Sequence, residues 1–411
     1  MKSMLLAIAF AGLFSTTDAL TLDACQRMAR ERHPLLRQKG LIERSRDYTL
    51  ENANRGYLPQ LSVSGKTTDQ SDPAMRGLET DQTQIVAEIG QTIWDGGAIS
   101  ARKRSARASA AVDAARLETE LYALRSRVDQ LYFGILSIDE QIVQNDILVR
   151  DLKTNLARVK AYKENGVANQ ADVDALQVEI LRARQKRTEL RASGDAWRAM
   201  LSMLVGEPLD SSSRFERPVL SAPSGKPANN RPELALYKAQ DELALSQEDA
   251  LFARNAPRLG AFLQLGWGKP GLSLANKDYT SFWVAGLRLS WDLGGFYTRG
   301  NDKESIALQR ETIASRQESF ELDVGMETAR GLREISKYEE LIDRDDEIVT
   351  LRTRLRAAAE ARVEAGTMAV SDLVREMNSE AAARQERSLH EMQRLLSIAT
   401  LDATTNDGKR P

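Results

Sequence analysis

Residues 281–295 read SFWVAGLRLSWDLGG, an alternating segment that ends in tryptophan, aspartate and a pair of glycines. Every second side chain from Trp283 to Trp291 is apolar, whereas Arg288 and Ser290 lie on the opposite face. A period of two predicts a β-strand with one apolar and one polar face. Glycine adopts backbone conformations that other residues avoid, so the pair Gly294 and Gly295 predicts a sharp turn into the helical pattern that follows.

The same arrangement stands 198 residues earlier, where residues 82–97 read QTQIVAEIGQTIWDGG and end in Gly96 and Gly97. Each copy follows another alternating segment, about 60–68 in one case and 258–267 in the other. Recurrence in the same order at a nearly constant offset indicates an internal duplication. The prediction is a repeat over 20–205 and a second over 232–402, joined by a proline-rich segment (206–231) and followed by a disordered tail (403–411).

Within each repeat, the predicted order is a helix, two strands and a long helical hairpin whose tip lies near residue 166 or 366. The first helices are predicted over Leu22–Asn52 and Pro232–Arg254. The long helix of the first repeat carries apolar residues at alternating spacings of four and three, a heptad pattern typical of left-handed helix packing. This heptad seam consists of Leu117, Leu121, Leu124, Val128, Leu131, Ile135, Ile138 and Ile142. Because it is narrow, we predict helices that touch along thin lines rather than a large globular core.

Composition excludes several classes of function. The chain has 57 basic and 59 acidic residues, so no net positive field is available to hold nucleic acid. One cysteine excludes an intramolecular disulfide framework and a cysteine-based zinc cluster. The two histidines, His33 and His390, belong to no nucleophile or metal motif. The sequence therefore predicts neither an enzyme nor a cofactor or metal site.

The N-terminus has the pattern of a secretory signal peptide. Lys2 precedes an apolar run over residues 4–14, and small residues lead to Ala19, after which cleavage is predicted. Residues 22–25, Leu-Asp-Ala-Cys, form an imperfect lipidation motif. Asp23 is unusual in such a motif and Cys25 lies well beyond the apolar run. An unmodified, structural Cys25 is the preferred interpretation, with lipid attachment the alternative.

The four alternating segments fit strands of an outer membrane barrel, which are about ten residues long and apolar on one face. The alternative is a half-buried sheet in a soluble domain, which alternation alone does not exclude. The signal peptide and the long helices favour the membrane. Since four strands cannot close a barrel and open edges are not tolerated in lipid, the chain must oligomerise. Two chains would give eight strands and three would give twelve.

These landmarks resemble the TolC-like outer membrane efflux proteins. The resemblance rests on Leu20-Thr21-Leu22-Asp23 with His33-Pro34, on the Trp-Asp-Gly-Gly junction, and on the glycine tips that precede Asp172 and Asp372 by six residues. It implies a mainly α-helical homotrimer with a shared 12-stranded β-barrel in the outer membrane and a coiled-coil α-helical barrel crossing the periplasm. It further implies a passive exit duct for efflux or type I secretion, which works with a periplasmic adaptor and an inner-membrane pump.

The resemblance also assigns roles at the tips. Gly166, Val167, Gly366 and Thr367 would form the adaptor-docking surface, and Asp172, Asp372 and Arg375 would belong to the gate. Where family members hold the entrance shut with tyrosine and arginine, this chain has Val363 and Met368. We therefore expect a gate without that network, in which Asp372 faces Arg375; the alternative is that both are solvated helix charges. The rival function is a soluble periplasmic coiled-coil adaptor or scaffold.

Overall fold

The computed structural model describes residues 19–69, 71, 81–166, 168–223, 225, 227–269, 271–272 and 278–406. Residues 1–18 of the predicted signal peptide and Val167 thus lie outside the described residues. Contacts divide the chain into two compact units. The first contains the described residues up to Leu36, Glu120–Arg231 and those from Glu321 onwards; the second contains Arg37–Thr119 and Pro232–Phe320.

The chain runs twice through the same order of elements: helix, two strands, long helix and return helix. The first half contains α1 (Leu22–Arg32), α2 (Leu36–Asn54), a 3₁₀ turn (Arg55–Tyr57), β1 (Gln60–Asp69), β2 (Asp81–Trp94), α3 (Ala98–Glu164) and α4 (Gln170–Val205). The second contains α5 (Pro232–Arg254), β3 (Arg258–Lys269), β4 (Thr280–Ser290), α6 (Gly295–Glu364) and α7 (Val370–Thr405). The predicted mainly α-helical fold with four strands per chain is confirmed.

The predicted heptad seam is the buried stripe of α3. Leu117, Leu121 and Val128 are between 0% and 4% exposed, and Ile135 is fully buried. Farther along the helix, Leu152 and Val159 continue the stripe. No helix among the described residues is both long enough and apolar enough to cross a membrane.

One part of the first unit has a larger hydrophobic core than the predicted thin seams would form. Tyr132 and Phe133 of α3 pack in a hydrophobic cluster with residues of α1, α4, α6, α7 and the inter-repeat segment. This cluster, called here the girdle core, includes Leu22, Cys25, Val128, Tyr132, Ile135, Leu201, Leu220, Ile335, Leu395 and Ile398. The prediction of narrow seams was therefore wrong at this level, because the inter-repeat segment adds a further layer of apolar side chains.

Polar contacts tie the chain ends into the same unit. Leu20 forms a parallel bridge with Phe215, and the Tyr132 hydroxyl lies 2.7 Å from the Leu20 carbonyl oxygen. At the other end, the Tyr122 hydroxyl donates to the carbonyl of Ala403 at 2.8 Å, and Arg125 pairs with Asp402 at 2.6 Å. Residues from both ends of the chain thus stabilise one unit.

Two predictions about the extent of helices were wrong. The first helix is interrupted, and His33 between α1 and α2 has an extended backbone (φ −64°, ψ 133°). Pro34 causes this, since proline disfavours helical geometry in the preceding residue. In addition, α7 continues to Thr405, so the first three residues of the predicted disordered tail are helical. Residues 407–411 lie outside the described part of the chain.

We predict that Cys25 carries no lipid. Its side chain is fully buried in the girdle core, and burial raises the pKa of its thiol to about 12. Lipid attachment would also make Cys25 the first residue, which would remove Leu20 and the α1 cap, where Thr21 accepts a hydrogen bond from Ala24 N at 3.2 Å. Intact mass spectrometry of the membrane-extracted protein should show a mature chain without an acyl adduct; a diacylglyceryl mass on Cys25 would contradict this prediction.

The second unit consists of the sheet with α2, α5 and the adjoining parts of α3 and α6. Its helices bury Ala244, Ile306 and Ile313. Ion pairs connect neighbouring helices, among them Arg310 with Asp241 at 2.6 Å and Arg104 with Asp249 at 2.8 Å. These contacts hold the helices of this unit together.

Candidate functional site

The four strands form one antiparallel sheet in the order β1-β2-β3-β4. Leu61 pairs with Ile89, Ile89 with Leu263, and Leu263 with Ala285, so odd-numbered residues share one face. Within the chain, β1 and β4 each have one neighbour, which leaves two outer edges. The sheet joins the two repeats, because β2 of the first pairs with β3 of the second.

The odd-numbered face, called the apolar face, exposes large hydrophobic side chains. Leu61 is 72% exposed, Leu287 is 70% exposed and Trp283 is 69% exposed. Soluble proteins rarely display contiguous apolar patches of this kind. Its other exposed members include Val63, Ile85, Ile89, Leu263, Leu265 and Leu289.

Aromatic residues bound the apolar face at both ends. Near the helices are Trp94, which pairs with Leu259, and Trp291, which follows β4. At the far end, Trp267 stacks on Tyr279 with ring centroids 4.6 Å apart. From Leu259 to Trp267 the strand rises about 27 Å, or about 21 Å across a membrane if it tilts by about 40°. The height of the apolar band and its aromatic limits are typical of a transmembrane barrel wall.

The even-numbered face, called the polar face, carries a hydrogen-bonded ionic cluster. The Glu88 carboxylate accepts from Arg288 at 2.8 and 3.3 Å and from Gln264 Nε2 at 2.6 Å. The Arg288 guanidinium lies 4.6 Å from the ring centroid of Phe262. The three polar residues come from β2, β3 and β4, so register alone brings them together.

The two strand-to-helix junctions use glycine for different reasons. Gly96 and Gly97 have φ of +66° and +89°, and the Asp95 carboxylate accepts hydrogen bonds from Gly97 N and Ile99 N as α3 begins. Gly294 and Gly295 do not have left-handed backbones. A Cβ on Gly295 would lie 2.1 Å from Asn255 Oδ1, so this position requires a close approach instead.

At the first hairpin tip, Gly166 (φ +76°) ends α3 and Asn169 caps α4. Asp172 belongs to that cap: its carboxylate accepts from Asn169 N, and its own N–H donates to Asn169 Oδ1, both at 3.0 Å. This reciprocal arrangement is a capping box with aspartate as the acid. The predicted gate residue Asp172 therefore also stabilises the start of α4.

At the second tip, Gly366 (φ +70°) ends α6 in a Schellman motif. The N–H of Thr367 donates to Arg362 O at 2.9 Å, and that of Gly366 donates to Val363 O at 3.0 Å. Asp372 and Arg375, the other predicted gate residues, form an exposed ion pair at 3.1 Å within the chain.

The hairpin tips of the two repeats share one apolar cluster. Leu152, Val173 and Leu176 of the first hairpin pack with Leu373 and Met377 of the second. Val363 is 7% exposed in this tip cluster, and Met368 packs against it. Val363 and Met368, at the positions where the resemblance implies a tyrosine and an arginine, thus contribute apolar packing.

A buried polar network follows the tip cluster along the helices. Glu380 of α7 is 2% exposed and accepts hydrogen bonds from Thr353 (2.7 Å), Arg356 (3.0 Å) and Arg384 (2.6 Å). Arg356 also contacts Asp151 of α3 at 2.5 Å. Burial raises the pKa of Glu380, but the hydrogen bonds from Thr353 and Arg356 and the charge of Arg384 outweigh it, so its pKa lies below the ordinary value.

This Arg356 network was not predicted from the sequence. Glu380 and Arg384 have the spacing of an ordinary surface pair on a helix, as do Arg356 and Glu360. The available signal was the position of Glu380 between the apolar residues Met377 and Ala381, on the buried stripe of α7. Among the described residues, no group of three or more potential acidic, histidine or cysteine ligands could hold a metal ion.

Comparisons with known proteins agree with this geometry. A family model described as "Outer membrane efflux protein" matches residues 26–207. The fold is similar to the outer-membrane channel OprN, with a TM-score of 0.72 at 14% identity over 95% of this chain and 91% of that chain. It is also similar to the CmeC outer membrane channel of Campylobacter jejuni (TM-score 0.68, 13% identity, 94% and 86% covered).

A third similar structure is the outer membrane protein VceC of Vibrio cholerae, with a TM-score of 0.68 at 14% identity over 93% of this chain and 96% of that chain. Among curated protein sequences, none matches the chain significantly. The family match and the fold shared along nearly the whole chain agree with the order of the sequence landmarks. Residues 26–207 thus match the outer membrane efflux protein family, and the fold of nearly the whole chain is similar to that of outer membrane channels.

Proposed function

We propose that this protein is an outer membrane exit duct that conducts small molecules or polypeptides passively from the periplasm to the exterior. The strands contribute to the barrel wall, and the long helical hairpins form the periplasmic part of the passage. Energy and cargo selection come from the partner pump of an efflux or type I secretion system. The match of residues 26–207 to outer membrane efflux proteins and the similar channel structures support a passive channel rather than an enzyme.

The observation that carries this proposal is the apolar face with its two aromatic limits. Contact with lipid would remove the apolar side chains of this face from water, which is favourable. In a soluble protein, Leu61, Leu287 and Trp283 would remain in contact with water. The outer edges of β1 and β4 cannot remain unpaired in lipid, since no water is available to satisfy their backbone groups. Pairing β4 of one copy with β1 of the next resolves this, and three copies give twelve strands.

Exposed apolar residues on the helices support the homotrimer. In the first unit, Ile348, Leu351 and Leu355 form an exposed stripe along α6, each close to half exposed. Val178 and Leu181 expose a matching pair on α4. These positions have heptad-like spacing, which suits packing against a helix of a neighbouring copy.

The tips provide the proposed contacts with partners. Gly166, Gly366 and Thr367 lie at the hairpin ends, and Val167 follows Gly166 in the sequence; here a periplasmic adaptor protein would dock and connect the duct to an inner-membrane pump. Small residues there leave room for the approach of another backbone. Gly96, Gly97, Gly294 and Gly295 direct the chain from the barrel strands into the helices.

Fractionation and conductance test this function. The protein should be recovered in the outer membrane, should migrate as a trimer in mild detergent, and should form conducting pores in planar bilayers. The soluble adaptor alternative receives no support from the family match or the similar structures. Recovery in the soluble periplasmic fraction without pore formation would contradict the proposed function.

For the gate, we predict that the Asp372–Arg375 pair restricts the entrance. Asp372→Ala and Arg375→Ala should each raise single-channel conductance, because each replaces a larger, charged side chain at the predicted entrance by a methyl group and breaks the 3.1 Å contact. Exposed pairs of this kind contribute at most about 1 kcal/mol to stability, so the fold should be preserved. Asp172→Asn is the matched variant at the first tip. It removes the charge, but the amide oxygen can still accept the capping hydrogen bond from Asn169 N. Unchanged conductance in both alanine variants would identify these residues as solvated helix charges.

A further inference from the structure

The polar face of the sheet carries an uneven set of charges. By strand alternation, its charged members are Lys66 on β1, Glu88 on β2, Arg258 on β3 and Arg288 on β4. Among the described strand residues, Glu88 is the one acidic side chain on this face. The remaining positions are glycine, serine, threonine, glutamine, valine and phenylalanine.

Glu88 and Arg288 neutralise each other. The guanidinium reaches both carboxylate oxygens, and Gln264, on the neighbouring strand β3, donates a hydrogen bond to the same carboxylate. A bidentate pair of this kind is short and directional, so it contributes little net field to its surroundings. The net charge of the polar face is therefore set by Lys66 and Arg258, at two positive charges per chain.

Four acidic residues on or beside the strands do not offset these charges. Asp69 and Asp81 pair with each other in register on the odd-numbered side, at the end of the sheet away from the helices. At the helix end, Asp95 is buried and accepts from Gly97 N and Ile99 N, and Asp292 accepts from Gly294 N. These two carboxylates are held by backbone turns.

We propose that the polar face of the barrel is a positively charged filter, set by Lys66 and Arg258, that favours anions and anionic cargo. The proposal rests on the proposed function, in which this face lines the passage. Three chains place six uncompensated positive charges around the lumen. In water, a unit charge about 10 Å from a permeating ion changes the local concentration of that ion about twofold. Salt weakens the effect, because the Debye length is about 10 Å at 0.1 M ionic strength.

Reversal potentials in planar bilayers under a KCl gradient at low salt test the filter. The double variant Lys66→Gln/Arg258→Gln should lower the chloride-to-potassium permeability ratio at least about twofold relative to the unsubstituted protein. Glu88→Gln should raise the ratio, because it frees Arg288. The conservative variant Lys66→Arg/Arg258→Lys keeps the charge and should keep the ratio, which separates charge from side-chain shape.

Chemical modification tests the same charge within one assembled protein. Lys66→Cys can be labelled with a positively or a negatively charged methanethiosulfonate reagent after the pores have formed. The positive label should restore the anion preference, and the negative label should lower the chloride-to-potassium permeability ratio further. The native Cys25 is fully buried, so the unsubstituted protein is the control and should not respond.

The outcomes separate this inference from the proposed function. If the unsubstituted protein forms no pores, the exit-duct function fails. If pores form but the permeability ratio is the same in the Lys66→Gln/Arg258→Gln variant, or is insensitive to the sign of the label on Lys66→Cys, the charge filter is overturned while the duct remains.

Discussion

Replacement of Val63 by arginine is expected to prevent stable insertion of the protein into the outer membrane. Val63 lies near the middle of the apolar face, between the aromatic limits, and is 69% exposed in the single chain. An arginine at the midplane of a barrel's lipid face costs about 2–4 kcal/mol, and a trimer would bear this cost three times. The measurement is the amount of heat-modifiable trimer in the outer membrane fraction, which should fall to a small share of the normal level.

The adjacent residue provides a matched control. Ser64 is also exposed but lies on the polar face of the same strand, so Ser64→Arg should insert normally. In a soluble protein both side chains would face water, and both substitutions would be tolerated to a similar extent. Equal insertion of the Val63→Arg and Ser64→Arg proteins would therefore contradict a lipid-facing apolar face.

The second large effect is expected at the Arg356 network. Arg356→Met would leave the Glu380 carboxylate, 2% exposed, without its charged partner on α6 and would also remove the contact with Asp151. Breaking a buried ion pair by removing one partner costs about 3–5 kcal/mol. Hydrogen exchange of the intact trimer should show faster opening of α6 and α7 around Thr353 and Glu380, with little change in the sheet.

Two further variants control this result. Arg158 pairs with Glu360 at 3.8 Å and is 56% exposed, so Arg158→Gln should cost no more than about 1 kcal/mol. The double variant Arg356→Met/Glu380→Met removes both charges and should recover much of the lost protection. If Arg356→Met behaves like Arg158→Gln, the network does not hold the two hairpins together.

The same network predicts the direction of a pH effect. The pKa of Glu380 is lowered in the folded chain from its ordinary value of 4.5, so its charged form stabilises the fold. That contribution is fully present above the ordinary value and is lost as the pH falls through the lowered pKa. Protection of α6 and α7 should therefore decrease below about pH 4.5 in the unsubstituted protein, and this decrease should be smaller in Glu380→Gln.

Periodicity predicted the elements of this fold because each has a single dominant pattern. The alternation of β3 and β4 and the heptad seam of α3 follow from which side of an element is apolar. Contacts among several elements were harder to predict. Tyr132 contributes to the girdle core because the inter-repeat segment and both chain ends meet there, and the heptad spacing does not encode that meeting.

The candidate sites differ in the same way. Asp172, Asp372 and Arg375 were assigned to the gate by the family resemblance, and local geometry explains the contacts seen for each. Glu88 and Arg288 are 200 residues apart, and only the sheet register brings them together. Glu380 and Arg356 lie on two neighbouring helices, and the rotation of each helix about its own axis determines which charges are buried. The sequence does not specify that rotation.

The contacts at the chain ends have a consequence for the order of folding. Arg125 meets Asp402 and Tyr122 meets Ala403, so contacts within one unit span more than 270 residues of sequence. Such contacts cannot form until the last helix has been released, and long loops slow their formation. The N-terminal half must therefore remain incomplete during export, with its apolar surfaces exposed. Folding would then depend on chaperones that prevent aggregation of the incomplete chain until the final turn of α7 has been exported.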